Sequence, residues 1–130
     1  MIAVKFNQNE GHLDSRFHGD VTAEEIIDYI NATRMNSEYP RYLKILTDAT
    51  EANMIFSADA LPSIVEANNQ SLEQYEAIID AIVLDSSREM ALSVFYEQLS
   101  KAPKYQFRVF STREAATTWL AGFEAQDKKE

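Results

Sequence analysis

The chain has 130 residues, with 12 Lys and Arg against 21 Asp and Glu, a formal charge of −9. At that length it is one domain, and 45% hydrophobic and 11% aromatic residues suffice for a core of its own, which excludes disordered and fibrous classes. The acidic excess argues against a nucleic-acid binder, and the absence of cysteine excludes a disulfide scaffold, a thiol nucleophile and a Cys-ligated metal.

Apolar residues alternate from Ile2 to Phe6. After the turn-like Asn7-Gln8-Asn9-Glu10-Gly11, a second alternation sets Leu13, Ser15 and Phe17 against His12, Asp14, Arg16 and His18. This predicts an antiparallel hairpin with one wet face. Thr22 and Glu25 have the spacing of a capping box, and Ile26, Ile27 and Ile30, continued by Arg34 or Met35, predict a helix over about 22–36 that ends before Pro40. Tyr42-Leu43-Lys44-Ile45-Leu46-Thr47 is apolar on both faces, as a central strand between two helical layers requires. Residues 48–57 are expected to form a loop.

A helix then starts between Asp59 and Pro62, because proline is tolerated in the first turn, and Leu61, Ile64, Val65, Asn68 and Leu72 continue on one side. The β-branched run from Glu76 to Asp85 favours a strand. Ser86 with Glu89 predicts a second capping box, followed by a helix burying Met90, Ala91, Val94, Phe95 and Leu99 and closed by Pro103. Tyr105, Phe107 and Val109 alternate as a last strand. Ser111 with Glu114 predicts a third box, and Ala115, Ala116, Trp119, Leu120 and Phe123 form the stripe of a final helix. Residues 1–123 thus make a single α/β domain of about five strands and four helices in ββαβαβαβα order, mixed but mostly parallel, followed by a tail over 124–130 that is expected to fray.

The hairpin end Phe17-His18-Gly19-Asp20-Val21-Thr22, the strands Leu43–Asp48 and Ala81–Asp85, and the closing run Phe110-Ser111-Thr112-Arg113-Glu114-Ala115-Ala116-Thr117-Thr118-Trp119-Leu120 resemble the SpoIIAA-like branch of the STAS (sulphate transporter and anti-sigma factor antagonist) domains. The resemblance covers about residues 2–123 and implies a small bacterial domain that acts by binding, without catalysis. In the anti-sigma antagonists of that family a serine in an Asp-Ser-Ser-Gly motif, at the start of the helix after the central strand, is phosphorylated to switch partner binding. By position that serine corresponds to Ser57, although the aspartate before it and the glycine after it are missing here. The string Asp85-Ser86-Ser87 follows the next strand and continues with Arg88, which fits a helix cap.

In open α/β sheets ligands bind beyond the carboxyl ends of the parallel strands. The candidate rim is therefore Asp48, Thr50, Met54, Phe56, Asp59, Asp85 and Ser86, with Ser57 as the candidate regulatory serine. The leading expectation is a non-enzymatic STAS-like regulatory module in a bacterial cytoplasm, engaging a protein partner of basic or mixed surface; a homodimer is also compatible. An alternative is a carrier of a small molecule or lipid in an apolar pocket between helices and sheet, lined by Met35, Met54, Ile55 and Phe56. A remote one is a metal-dependent hydrolase using Asp48 and Asp85. His12, Asp14 and His18 share a strand face, but at ~3.3 Å per residue His12 and His18 stand about 20 Å apart, too far for one ion, so a solvated face is expected.

Gly11, Gly19 and Gly122 are isolated and form no phosphate-cradling loop, so no cofactor is expected. The chain opens on strand-like residues, without a basic then apolar leader, and its longest uncharged apolar run is Ala81-Ile82-Val83-Leu84. No transmembrane segment is expected. Trp119, Phe123, Phe95, Phe107 and Phe110 fall at core spacing, whereas Tyr29, Tyr39, Tyr42, Tyr75, Tyr96 and Tyr105 fall off the main stripes, where a dimer or partner surface would use them. The charge is concentrated in residues 48–97, which carry a single basic residue, Arg88, against ten acidic ones.

Overall fold

The computed structural model describes residues 1–123; the tail over 124–130 lies outside them. Strands β1 (Ile2–Asn7) and β2 (His12–Val21) form the hairpin, and Gly11, at φ +78°, closes its turn with an N–H bond to Asn7 O. Then follow α1 (Ala23–Met35), β3 (Tyr42–Met54), a 3-10 turn (Ala58–Ala60), α2 (Leu61–Leu72), β4 (Ala77–Val83), α3 (Ser87–Leu99), β5 (Tyr105–Phe110) and α4 (Arg113–Ala121). The sheet runs in the order β1-β2-β3-β4-β5, with β1 antiparallel and every other pairing parallel.

Each crossover therefore steps the same way along the sheet, which lays α1, α2 and α3 on one face, α1 against α2 and α2 against α3. Alternation decides what each face carries. Leu13, Leu43, Ile45, Ile78 and Tyr105 pack under the three-helix layer with Ile30, Leu61 and Ile64. Leu46, Ile79, Ala81 and Val83 pack under α4 with Ala116 and Leu120. The doubly apolar β3 is central, as expected.

Thr22 forms the predicted capping box: its Oγ1 accepts the Glu25 N–H at 3.1 Å, and the Glu25 carboxylate accepts the Thr22 N–H at 3.1 Å. Thr22→Ala removes the acceptor for Glu25 N–H and is expected to cost about 1 kcal/mol, read as a lower urea midpoint at unchanged slope.

Several expectations fail for identifiable reasons. Residues 48–54 are strand, continuing β3 along β2. The register passes from Arg16↔Asp48 to His18↔Glu51, so two residues of β3 oppose Phe17. That bulge shifts the alternation by one, which is why Ala49 and Met54, an odd and an even position, both enter the core with Phe17 and Val21. His12 is 4% exposed and contacts Asp14 Oδ1 at 2.9 Å, so the hairpin's second face is not simply wet. Asp14 also pairs with Arg113 of α4 at 3.6 Å, which places this face against α4. Tyr75, Tyr96 and Tyr105 are core residues rather than surface ones. The cap of α4 is Thr112, accepting the Ala115 N–H, and not Ser111.

Candidate functional site

The parallel strands end together at one edge, and there β3 outruns β4, whose last register partner is Asp48↔Val83. Side chains of α3 replace the missing ladder. Met54 donates its N–H to Glu89 Oε2 at 3.1 Å, while Arg88 donates to Met54 O at 2.6 Å and to Phe56 O at 2.9 Å. The Ser86 hydroxyl donates to the other Glu89 oxygen. Ser86 is thus the N-cap residue of α3 without a side-chain bond to a helix N–H, and the expected capping box is replaced by a clamp on β3. Burial works to raise the Glu89 pKa, but the Ser86 hydroxyl, the Met54 amide, Glu89's own amide and the Arg88 guanidinium outweigh it and hold the carboxyl below its ordinary value.

The clamp brings Met54, Phe56 and Ser86 together. Ser57, exposed, follows directly and caps the 3-10 turn by accepting the exposed Asp59's N–H at 3.4 Å. Asp85 is exposed just before Ser86. Asp48 and Thr50 stand apart from this group. Asp48 projects on the α4 side of the sheet with Leu46, and its Oδ1 accepts the Thr50 N–H at 3.1 Å and the Thr50 hydroxyl at 2.8 Å. Among the described residues no three His, Asp or Glu side chains converge to hold a metal.

Between the three-helix layer and the sheet lies a cavity of about 90 Å³. Met54 and Phe56 line it as expected, with Phe17, Ile30, Ile64 and Ile82. Met35 and Ile55 do not, since both side chains stand in solvent. The cavity also has a polar wall: Asp80, Thr47, Tyr29, Asn68, Ser71 and Ser93. Thr47 Oγ1 donates to Asp80 Oδ1 at 2.9 Å. Burial pushes the Asp80 carboxyl up from 3.8 to about 7, against the Thr47 hydrogen bond that lowers it. Burial and the charge of Asp80 both push the Tyr29 phenol up; it lies beside Ser15, and neither hydroxyl has a well-aligned partner. Ser71 Oγ is buried and unpartnered as well. The signal for Asp80 was in the sequence: in Ile78-Ile79-Asp80-Ala81-Ile82 the alternation puts the lone carboxylate on the same face as Ile78 and Ile82.

Outside the cavity, α3 inverts its expected orientation. Its inward residues are Glu89, Ser93 and Tyr96, with Leu92 packed beside them, while Val94, Phe95 and Leu99 are 42%, 44% and 37% exposed. Ala91 is exposed too and Met90 only half-buried, so the predicted buried stripe is largely the outer face.

No family model and no curated protein matches the chain in sequence. Solved structures do match in shape. An uncharacterised protein of the DUF3478 family with a SpoIIAA-like fold, from Shewanella loihica PV-4, superposes at TM-score 0.58 with 17% identity over 92% of each chain. The fold is SpoIIAA-like. A second structure, an anti-sigma-factor antagonist (STAS) domain protein from Planctomyces limnophilus, superposes at TM-score 0.55 with 12% identity, covering 93% of this chain and 98% of that one. Against this SpoIIAA-like frame, Ser57 opens the turn into the helix after the central strand, and α3 is the helix whose apolar side faces outward. No helix among the described residues is long and apolar enough to cross a membrane.

Proposed function

We propose that this protein is a non-enzymatic regulatory module of the bacterial cytoplasm that acts by docking a protein partner. The reading rests on one observation: four apolar residues at the spacing of a single helix face, Ala91, Val94, Phe95 and Leu99, are exposed on α3 while Glu89 and Ser93 turn inward. Burying a helix's apolar side is the ordinary outcome of folding, so an outward apolar face marks a surface completed by another molecule. The anti-sigma-factor antagonist among the structural neighbours supports the regulatory part of the reading. The docking surface extends from this face to the edge where Phe56, Ser57 and Asp59 meet the Arg88–Glu89 clamp. Arg88, the only basic residue of the acidic middle third, already bonds two carbonyls and Glu89, so a partner of basic or mixed surface fits.

The test is affinity purification of the tagged chain from its native host, alongside Phe95→Glu and Ser57→Glu. We expect the same partner to be retained by the parent chain and reduced at least tenfold by Phe95→Glu, with circular dichroism unchanged. Equal retention by Phe95→Glu would contradict the reading. The carrier alternative draws on the cavity, but about 90 Å³ is below the ~150 Å³ that admits benzene, so as it stands the cavity holds no lipid.

A further inference from the structure

The helix–sheet cavity holds a carboxyl that the fold leaves without a counter-charge. Asp80 sits on its wall, and its one hydrogen bond is to the neutral Thr47 hydroxyl. None of the ion pairs among the described residues includes it. A carboxylate in an apolar enclosure is costly unless a cation or several donors meet it. Aromatic rings from β2, α1, α3 and β5 stand on the same wall among aliphatic side chains: Phe17, Tyr29, Tyr96, Tyr105 and Phe107. Tyr96 stands edge-on to Phe107 with centroids 4.9 Å apart, and its hydroxyl bonds Tyr105 at 3.2 Å. A carboxylate that shares a small cavity with aromatic rings suits an organic cation, which gains from the charge and from the rings together.

We propose that this cavity binds a small organic cation, a protonated primary or methylated amine, whose ammonium rests on the Asp80 carboxylate among the aromatic rings. The cavity volume, set against the ~150 Å³ that admits the six carbons of benzene, limits the ligand to about four heavy atoms. The titratable groups facing Asp80 are the phenols of Tyr29 on α1, Tyr96 on α3 and Tyr105 on β5, all pushed further up by burial and so neutral across the working range. From α2 the polar groups are the uncharged Asn68 and Ser71. Cation binding therefore requires Asp80 to ionise, and affinity falls about tenfold per pH unit below its midpoint. This proposal is independent of the partner surface on α3.

The experiment is an NMR titration of the isotopically labelled protein with n-propylammonium chloride and, separately, with 1-propanol, at matched ionic strength and pH 8. About four heavy atoms support millimolar affinity. We expect the amine to bind saturably in that range, at least tenfold more tightly than the alcohol, with shifts centred on Thr47, Asp80 and Tyr96. The preference should disappear in Asp80→Asn, and in the unsubstituted protein the amine affinity should fall about fiftyfold between pH 7 and pH 5. The proposal is overturned by equal affinity for alcohol and amine, by an amine affinity independent of pH, or by no saturable binding.

Discussion

Asp80→Asn makes the protein more stable at pH 8, by roughly 2–4 kcal/mol, and leaves it almost unchanged at pH 4. The native carboxyl holds its proton up to about pH 7, whereas in the unfolded chain it releases it near 3.8. Between those values the native state binds more protons than the unfolded state, so stability falls as pH rises from about 4 to 7 and stays low above it. Asparagine keeps an oxygen to accept the Thr47 hydroxyl and has nothing to ionise, which removes this part of the slope. Urea midpoints of both proteins at pH 4 and pH 8 check it. A variant less stable than the parent at pH 8 would mean that Asp80 is compensated in a way the cavity does not show. That a core position would be improved by removing its charge is the expected mark of a group retained for binding.

Glu89→Ala acts in the opposite direction, costing about 2–4 kcal/mol at neutral pH. The buried Met54 N–H loses its acceptor, Ser86 loses its partner, and the end of β3 loses half of the clamp that stands in for a strand neighbour. Arg88 alone still holds the Met54 and Phe56 carbonyls, so we expect local loosening to accompany the global loss: faster amide exchange at Met54 and Ile55, with the β2–β3 pairing below the bulge unaffected. Its pH dependence also mirrors that of Asp80. The Glu89 carboxyl lies below its ordinary 4.5 in the folded state, so its contribution is present above about 4.5 and is lost as pH falls through the folded value. Retention of protection at Met54 in Glu89→Ala would show that the clamp is incidental.

The elements were legible where local chemistry and packing agree. Thr22 and Glu25 close a capping box because two side chains three residues apart satisfy two free N–H groups whatever surrounds them. The run from Tyr42 to Thr47 is apolar on both faces because the sheet is covered on both, and that pattern survives in one dimension. Residues 48–54 were illegible for the opposite reason: Asp48-Ala49-Thr50-Glu51-Ala52-Asn53 has poor strand propensity and is held extended by β2 and by the remote Arg88 and Glu89. The third helix misleads more instructively. Its periodicity is correct, but which side of the period turns inward depends on Glu89 reaching Met54 and Tyr96 reaching Tyr105, contacts separated in sequence by 35 and 9 residues. Of the cavity lining, Met54 and Phe56 stand out in the sequence as apolar residues in a polar stretch, whereas Asp80, a single acidic residue within a β-branched run, reads as one polar position in a strand.

The apolar outer face of α3 is the feature on which the functional account depends, and in-cell photo-crosslinking from a probe residue at Phe95 tests it most directly, with a probe at the exposed Lys5 of β1 as the reference. The account predicts one discrete crosslinked product at Phe95 containing a different polypeptide, absent at Lys5 and lost when Val94→Glu is added. Crosslinking at Phe95 no stronger than at Lys5, or exclusively to a second copy of this chain, would contradict it.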